Sequence, residues 1–218
     1  MLKTTHLFDL THTIAGAYLA GFEFPWQALP GIEALIPELG AGLGPEFVRH
    51  GADVWIHRSV TVAPTASIAG PCIIGAGTEI RHCAYIRGSV IIGENCVVSN
   101  SSELKNCIIF DEAQIPHFNY VGDSIMGYRS HVGGGTMTSN LKGDKSLISV
   151  RCGGEVYPTG LQKFGAIIGD YADVGANTLL NPGTVIGKNS RVYPCVSVRG
   201  VVPPAHIFKS QDNIVPIR

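Results

Sequence analysis

The sequence is poor in charged residues and lacks long hydrophobic runs. Asp, Glu, Lys and Arg make up 15% of the 218 residues, and the formal net charge is −1. So small a net charge does not indicate the broad basic surface that binds nucleic acid or an anionic membrane. The mean hydropathy of +0.21 comes from scattered Ile and Val positions, and no apolar run approaches the roughly 18–20 residues of a membrane span. We therefore expect neither nucleic acid nor membrane as a partner.

Two further features are missing. The opening MLKTTHLFDL has no apolar core of a signal peptide, which predicts a cytoplasmic protein. The 6 cysteines include no Cys-x-x-Cys pair, which argues against a zinc knuckle or a redox motif. Cys72 and Cys96 recur in a register that otherwise holds small residues, so they are expected to be small buried side chains in a reduced protein.

A ladder of aliphatic residues at a spacing of six is the strongest pattern. Its first run is Ile56, Val62, Ile68, Ile74, Ile80, Ile86, Ile92, Val98 and Leu104, and it resumes from Ile168 to Val198. Neither the strand period of two nor the helical period of 3.6 explains this spacing. It predicts a triangular solenoid, in which three hexads close one coil and each aliphatic side chain points inward. Roughly seven coils would span about 33 Å at a strand spacing of about 4.8 Å.

The ladder is interrupted twice. It slips between Leu104 and Met126, and it is lost altogether in residues 140–164. Within that excursion, residues 146–151 and 155–159 flank Cys152-Gly153-Gly154, which predicts a β-hairpin arm over about 141–162. Residues 115–140 insert His117, Asn119 and Tyr120, polar groups that a purely structural coil does not need. We place the chemistry there because excursions from rigid scaffolds tend to carry function.

Residues 1–50 do not follow the ladder. Two helical segments are predicted, one in TIAGAYLAG and one over 26–39 with an interruption near Pro30-Gly31. The apolar stripe of the second is expected to pack on the end or side of the main domain, with partner binding as the alternative. The predicted organisation is a helical cap in 1–50, an all-β solenoid in 51–202 and a tail in 203–218.

Four motifs resemble a known family: SELKN (102–106), PHFNYVGD (116–123), GYRSHVGGGTMTSN (127–140) and KFGAIIGD (163–170). They are similar to the acetyltransferase domain of bifunctional UDP-N-acetylglucosamine pyrophosphorylase/glucosamine-1-phosphate acetyltransferases, and the likeness covers about 54–202. The resemblance implies a left-handed parallel β-helix that forms a homotrimer, with acetyl-CoA as co-substrate and no metal. Residues 1–50 are too few for the pyrophosphorylase domain, so uridylyl transfer is not expected.

The resemblance also implies roles for single residues. His117 matches the family's catalytic base, which accepts the proton released when an amine attacks a thioester. Glu103 matches a carboxylate that orients the imidazole, and Asn140 a residue near the amine and the acetyl group. The remaining matches are substrate-binding residues, namely Arg87, Lys105, Tyr120, His131 and Lys163, and acetyl-CoA-binding residues, namely Gly133, Gly134, Gly135, Ala176 and Pro194.

The chain also departs from the family pattern. His131 replaces a substrate-binding asparagine, Gly134 replaces an alanine, and the excursion after Asn140 is far longer than the family's loop. Tyr193-Pro194-Cys195 stands where the family lines its coenzyme groove with small residues. The sequence therefore does not determine which sugar and acyl group are used, or whether the acyl-CoA groove is functional.

Three functions are compatible with these residues. The leading one is an acetyl-CoA-dependent N-acetyltransferase acting on an amino-sugar 1-phosphate or a related nucleotide amino sugar. The second is a sugar-phosphate-binding or regulatory trimer without acetyl transfer. The third is a metal-dependent hydratase of the γ-carbonic-anhydrase type, which requires three histidines. His82 and His117 would supply two, but the position expected for another is Gly122.

Overall fold

The chain forms a parallel β-helix with three faces, and the computed structural model describes residues 1–217. Face 1 contains Val54–His57, Cys72–Ile74, Val90–Ile92, the second halves of Glu103–Ile109 and Tyr120–Met126, Ala166–Ile168, Thr184–Ile186 and Val201–Val202. Face 2 contains Thr61–Val62, Glu79–Ile80, Val97–Val98, Gln114–Ile115, His131–Val132, Asp173–Val174, Arg191–Val192 and His206–Ser210. Face 3 contains Ser67–Ile68, Tyr85–Ile86, the first halves of Glu103–Ile109 and Tyr120–Met126, Met137–Thr138, Leu179–Leu180 and Ser197–Val198.

The aliphatic ladder forms the interior of this solenoid. Ile74, Ile92 and Ile109 stack directly above one another on face 1, and each is at most 1% exposed. Equivalent residues of neighbouring coils pair in parallel register, so every coil adds its backbone to the ladder of hydrogen bonds begun by the previous one. The predicted fold class, a parallel β-helix solenoid with a short helical N-terminal region, is confirmed.

The corners between faces hold the chain in left-handed backbone conformations. Many of these positions are not glycine, as at Cys83, Ser101 and Phe118, whose φ angles are 58°, 56° and 61°. Other corners require glycine because the coils approach closely there. A Cβ on Gly75 would lie 2.6 Å from the backbone of Gly93 in the next coil. We call the corner joining face 2 to face 3 corner 2–3, and the one joining face 3 to face 1 corner 3–1.

The slip in the ladder has a local structural cause at corner 3–1. From Leu104 to Ile109, and again from Val121 to Met126, the inward residues are five apart, and each segment lies in one continuous seven-residue strand. The chain turns these two tight corners at Asn106 and Asp123, whose φ angles are 47° and 48°. Loss of one residue therefore shortens the corner while the register of faces 3 and 1 is kept.

The excursion forms a hairpin, Ser149–Cys152 paired with Glu155–Pro158, which turns at Gly153-Gly154 with positive φ angles at both glycines. Its base packs beside the N-terminal segment, since the Phe164 and Trp26 rings lie 5.9 Å apart. That segment contains the α-helices Thr4–Leu7, Gly16–Leu19 and Ile32–Ala41 and the 3₁₀-helices Leu10–His12 and Pro25–Gly31. Where one helix was predicted over 26–39, the chain changes from 3₁₀ to α-helix at Gly31, just after Pro30, which has no N–H to donate.

The N-terminal segment covers the outside of face 1, together with Ile148, Val150 and Phe164 of the excursion. The outward side chains of that face form an apolar row, namely Trp55, Ile73, Ile91, Ile108, Ile125, Ile167 and Val185, each at most 8% exposed. They pack against Leu7, Leu19, Trp26, Ile32 and Ile36 of the segment. The stripe therefore lies along the side of the solenoid and not on its end, and only faces 2 and 3 keep their outward rows open.

The solenoid continues beyond Val202, where the sequence predicted its end. His206–Ser210 adds a strand to face 2 and pairs antiparallel with Asn213–Pro216. At the other end, Phe47–Arg49 pairs antiparallel with Val54–His57. Arg218, the last residue of the predicted tail, lies outside the described residues. None of the helices in residues 1–217 combines the length and apolar character that a transmembrane segment needs.

Replacing Trp26 with alanine is expected to lower the free energy of unfolding by about 3–5 kcal/mol, because the ring is 1% exposed and fills the contact between the N-terminal segment and face 1. Urea denaturation at fixed protein concentration measures the change. Leu147→Ala is the matched control, since that side chain is 61% exposed and its loss should cost less than about 0.5 kcal/mol. Equal effects of the two substitutions would contradict the packing described here.

The cysteines should separate into two classes toward a thiol reagent. Burial raises the pKa of Cys72 and Cys96 to about 12 and also raises the pKa of Cys107, so at pH 8 these thiols hold almost no thiolate. Cys83 and Cys195 are exposed. We expect rapid labelling of the exposed pair at pH 8 and labelling of the buried three only after unfolding, as mass spectrometry of labelled peptides would detect. Rapid labelling of Cys107 in the native protein would contradict this arrangement.

Candidate functional site

The polar residues of the candidate site lie on face 3 and at its two corners. Tyr85, Glu103, Tyr120 and Met137 are neighbours in register on successive coils and form one outward row of face 3. Two residues further along each strand come Arg87, Lys105 and Gly122, which begin corner 3–1. Residues far apart in sequence are thus brought into columns by the stacking of coils.

Asp123 is the centre of a polar cluster at corner 3–1. Its carboxylate is 3% exposed and accepts from Lys105 Nζ at 3.2 Å on both oxygens. Asn106 Nδ2 donates to Oδ1 at 2.9 Å, and Asn140 Nδ2 donates to Oδ2. A buried carboxylate is stable only with such partners, so these contacts hold Lys105 and Asn140 in place.

The cluster extends onto face 3 through Tyr120. Asn140 Nδ2 also donates to the Tyr120 hydroxyl at 3.1 Å. Burial, together with the Asp123 and Glu103 carboxylates, raises the pKa of the Tyr120 phenol above its ordinary value, so the hydroxyl stays protonated at neutral pH. The ring lies over Gly122, where an added Cβ would come within 2.3 Å of the hydroxyl oxygen. The phenol is therefore a fixed, neutral hydrogen-bonding group.

The predicted cations differ in their partners. Arg87 forms an ion pair with Glu103 at 2.9 Å, and Lys105 is paired with Asp123. Lys163 forms an isolated antiparallel β-bridge with Leu141, and Phe164 N donates to Asn140 O at 2.9 Å. These backbone contacts bring the end of the excursion back beside Asn140. The Lys163 side chain is exposed and forms no ion pair with any group in residues 1–217.

His117 stands at corner 2–3, at the other edge of face 3. Its exposed ring lies over Gly134 of the next coil, where a Cβ would come within 2.9 Å of both Cδ2 and Nε2. The family's alanine at that position would meet the ring, so the glycine allows this rotamer. Glu103 does not contact His117, and no side chain in the described part of the chain hydrogen-bonds to the imidazole.

The predicted acetyl-CoA-binding residues stack on the same corner. Asn177 N donates to Gly134 O at 2.9 Å, and Cys195 N donates to Ala176 O at 2.8 Å, so Gly134, Ala176 and Pro194 succeed one another in a single column that begins at His117. Gly133 cannot carry a side chain, since its Cβ would lie 2.4 Å from Ala176 N. The far end is bulkier, because the Tyr193 ring is 46% exposed there.

His131 does not join the face 3 cluster. It belongs to the outward row of face 2, where its Nδ1 lies 2.7 Å from Asp173 Oδ1. The wall of corner 2–3 separates it from Tyr120 of the same chain. Any contact of His131 with a substrate held on face 3 would therefore have to come from a second subunit.

The histidines proposed for a hydratase are not clustered. His82 and His117 occupy the same corner two coils apart, with Asn100 between them, as the hydrogen bonds Ser101 N to His82 O and Phe118 N to Asn100 O show. Among residues 1–217, no three His, Cys, Asp or Glu side chains are grouped so that they could hold a metal ion. Gly122, the position expected for a further histidine, lies beneath the Tyr120 ring.

Sequence reasoning assigned no role to two central residues, Asp123 and Asn106. Asp123 stands within the quoted PHFNYVGD motif, so its position was visible although its partners were not. Asn106 becomes recognisable only through the slip of the ladder, because the shortened corner turns its side chain toward Asp123.

Asp123→Ala should lower the free energy of unfolding by about 2–3 kcal/mol, since it leaves the Lys105 ammonium and the Asn106 and Asn140 amides without their buried acceptor. Urea denaturation measures this change. Asp173→Ala provides the control, because its pair with His131 is solvent-exposed and should be worth less than about 1 kcal/mol. A loss below 1 kcal/mol at Asp123 would mean that the cluster does not organise the corner.

Comparison with known proteins agrees with the resemblance. The profile of the GMPPB C-terminal domain family matches residues 50–152. GlmU of Methanococcus maripaludis (strain C5) is 38% identical over 133 residues, which cover 61% of this chain and 32% of that protein. GlmU of Methanococcus aeolicus is 32% identical over 196 residues, covering 88% of this chain and 47% of that protein. The chain thus spans about a third to a half of the length of these two relatives.

A shorter relative matches most of its own length. YaiX of Escherichia coli (strain K12), whose name describes an uncharacterised acetyltransferase, is 32% identical over 164 residues, covering 67% of this chain and 71% of that protein. The chain belongs to the GlmU-like family of acetyltransferases.

Proposed function

We propose that this protein transfers an acetyl group from acetyl-CoA to the amine of an amino-sugar phosphate, with His117 as general base. The observation that carries the proposal is the position of His117. It stands at the edge of a face rich in polar side chains and at the start of a corner column of small residues. An acyltransferase must hold its acceptor and its donor on two sides of a base, and the two neighbourhoods of His117 suit that division.

The chemistry requires one proton transfer and one charge to be stabilised. The acceptor amine attacks the thioester carbonyl, His117 Nε2 takes the amine proton, and the coenzyme A thiolate leaves as the tetrahedral intermediate collapses. The oxyanion needs a donor, and Gly134 N–H suits this role because it has no acceptor among the first 217 residues. His117 above and Gly134 beside the thioester would then act on the same carbonyl.

The acceptor would lie across face 3. Tyr120 and Asn140 offer hydrogen bonds to sugar hydroxyls, and Lys163 offers a cation without a competing carboxylate. Arg87 and Lys105 are already neutralised by Glu103 and Asp123, so a phosphate would bind them only by sharing them with these carboxylates. Lys163 is therefore the first phosphate contact in this proposal. Glu103 positions Arg87, with which it forms an ion pair, and it does not position His117.

A homotrimer is part of the proposal. Face 1 is covered by the N-terminal segment, whereas Phe118, Met137 and Leu179 on face 3 and corner 2–3 are 63%, 50% and 40% exposed. Exposed apolar groups of this kind favour contact with another subunit. A neighbouring subunit that approached there would also bring a face 2 residue such as His131 toward the acceptor.

The alternative is a trimer that binds sugar phosphates without acetyl transfer. The observation that favours it is the bulk at the end of the donor column, where the exposed Tyr193 ring lies 5.7 Å from Lys209 Nζ. That contact would have to move if the column accepts the full length of coenzyme A. Turnover measurements separate the two functions.

The test is thiol release from acetyl-CoA in the presence of glucosamine 1-phosphate. The protein should turn over, and His117→Ala should lower kcat by roughly 10²–10⁴-fold, the contribution of a general base. His82→Ala is the matched control, because it removes an exposed imidazole from the same corner two coils away and should leave kcat unchanged. Equal kcat in protein and His117→Ala would refute the role of His117. No turnover with glucosamine 1-phosphate or with a nucleotide-linked amino sugar, while glucosamine 1-phosphate still binds in calorimetry, would favour the binding protein.

A further inference from the structure

A cavity lies on face 3 beyond Asn140, where the start of the long excursion folds back over the last coils. Its volume is about 500 Å³, and its walls include Ser139, Lys142, Asn181, Pro182 and Arg199. Ligand pockets commonly hold about 300–1,000 Å³, so this space is large enough for more than a simple phosphate ion. One wall of this cavity comes from residues 141–144, at the start of the excursion.

The cavity has a positive balance of charge. Arg199 is exposed and Lys142 half-buried, and neither forms an ion pair with a carboxylate of residues 1–217. Lys142 Nζ donates to Leu147 O at 2.7 Å, which holds the ammonium at the rim of the excursion. The one carboxylate in the wall, Asp144, accepts from Ser146 N and Oγ at 3.0 and 2.8 Å and is thus engaged within its own turn.

The cavity continues the column that holds the acceptor site. Ser139, Asn181 and Arg199 occupy successive coils in the same outward column as Arg87 and Lys105, as the register of face 3 shows. Ser139 directly precedes Asn140, so the cavity shares a wall with the Tyr120 cluster. Three coil spacings of about 4.8 Å, or about 14 Å in total, separate the level of Tyr120 from that of Arg199. A sugar in contact with Tyr120 can therefore extend an anionic substituent toward Arg199.

We infer that the cavity binds the nucleoside diphosphate of a nucleotide-linked amino sugar, with Arg199 and Lys142 as its phosphate ligands. This inference rests on the proposed function, and it selects the nucleotide-linked sugar over the simple sugar 1-phosphate as the acceptor. Arg199 offers a forked contact and Lys142 a point charge, a pair suited to two linked phosphates. Asn181 Nδ2 is engaged with Ser197 Oγ and Val198 O, so its Oδ1 and the Ser139 hydroxyl are the neutral groups left to contact ribose or base.

Coenzyme A also contains a nucleoside diphosphate, and the position of the cavity argues against it as the occupant. The donor column of Gly134, Ala176 and Pro194 runs along corner 2–3, whereas the cavity opens at corner 3–1, across the width of face 3. A coenzyme A molecule that places its thioester beside His117 would run down the former corner. The two sources are separable by competition.

The experiment is calorimetric titration of the full chain with UDP, GDP and dTDP in the absence of coenzyme A. At least one should bind with a dissociation constant below about 1 mM, and binding should weaken as salt is raised. Arg199→Gln should weaken that binding by about 10-fold or more, with Arg199→Lys intermediate, because charge-assisted contacts to phosphate are lost. Arg49→Gln is the control, since it removes an exposed arginine at the opposite end of the solenoid and should leave nucleotide binding unchanged.

Further outcomes decide the source and separate the two proposals. Arg199→Gln should leave the affinity for coenzyme A unchanged, and His117→Ala should bind the nucleotide as the unaltered protein does. No binding of any of the three nucleotides at 1 mM or less, or binding unaffected by Arg199→Gln, overturns the inference. So does a parallel loss of coenzyme A affinity in Arg199→Gln, which would assign the cavity to the donor. Nucleotide binding without acetyl transfer to any amine would refute the proposed function and leave the cavity assignment standing. Acetylation of glucosamine 1-phosphate without nucleotide binding would support the proposed function and refute the cavity assignment.

Discussion

The parallel register between successive coils is the constraint on which the rest of the structure depends. Each inward aliphatic residue lies on its equivalent in the next coil, and this stacking also places the outward residues in columns. The residues of a site on such a scaffold are therefore neighbours within a column across coils, although they are distant in the sequence. Glu103 and Tyr120 are 17 residues apart and yet direct neighbours, and Lys105 reaches Asp123 by the same rule.

The tight corners at Asn106 and Asp123 show how a small irregularity can make a site without disturbing the scaffold. A corner with one residue less draws its polar side chains inward, and there Asp123 is buried and must be satisfied. Two of the three groups that satisfy it, Lys105 and Asn140, are residues that the family resemblance assigns to the site. The site is thereby ordered before any ligand arrives, at the cost that Lys105 and Arg87 are already engaged with carboxylates. In the proposed function a phosphate would gain less from these paired cations than from free ones, and for this reason Lys163, Lys142 and Arg199 are proposed to recognise it.

Much of the fold could be predicted from the sequence because the period of six has no other simple explanation. The ladder from Ile56 to Leu104 predicted the solenoid, and the two breaks predicted where polar groups and an arm depart from it. The path of the N-terminal segment could not be predicted. An apolar stripe such as that of Trp26 and Ile36 indicates that the stripe is buried, but it does not indicate which surface it packs against. Pro203-Pro204 did not reveal whether a final strand or a tail follows, and in the structure His206–Ser210 adds a strand to face 2.

For the site, motifs predicted the residue types and stacking decided which residues meet. Tyr120, Asn140 and Lys105 are joined through Asp123, a partner that carries no distinguishing pattern of its own. Glu103 was expected to orient His117 and is instead paired with Arg87, because it lies on a flat strand of face 3 while His117 lies at the corner. His131 is on another face altogether. Sequence spacing does not reveal on which side of a corner a residue will point.

The path of the N-terminal segment has a consequence for how the chain folds. Asp170 accepts from Asp9 N at 2.7 Å and donates its own N–H to Leu7 O, contacts that join residues 161 and 163 positions apart. The part of the segment around Leu7 and Asp9 therefore lacks these contacts until the coil that carries Asp170 has formed. Loop closure over such a distance is slow relative to the coil-by-coil growth of the helix. The apolar row of the later coils stays open to solvent until then, so a late folding step of this protein is the docking of its N-terminal segment on those coils.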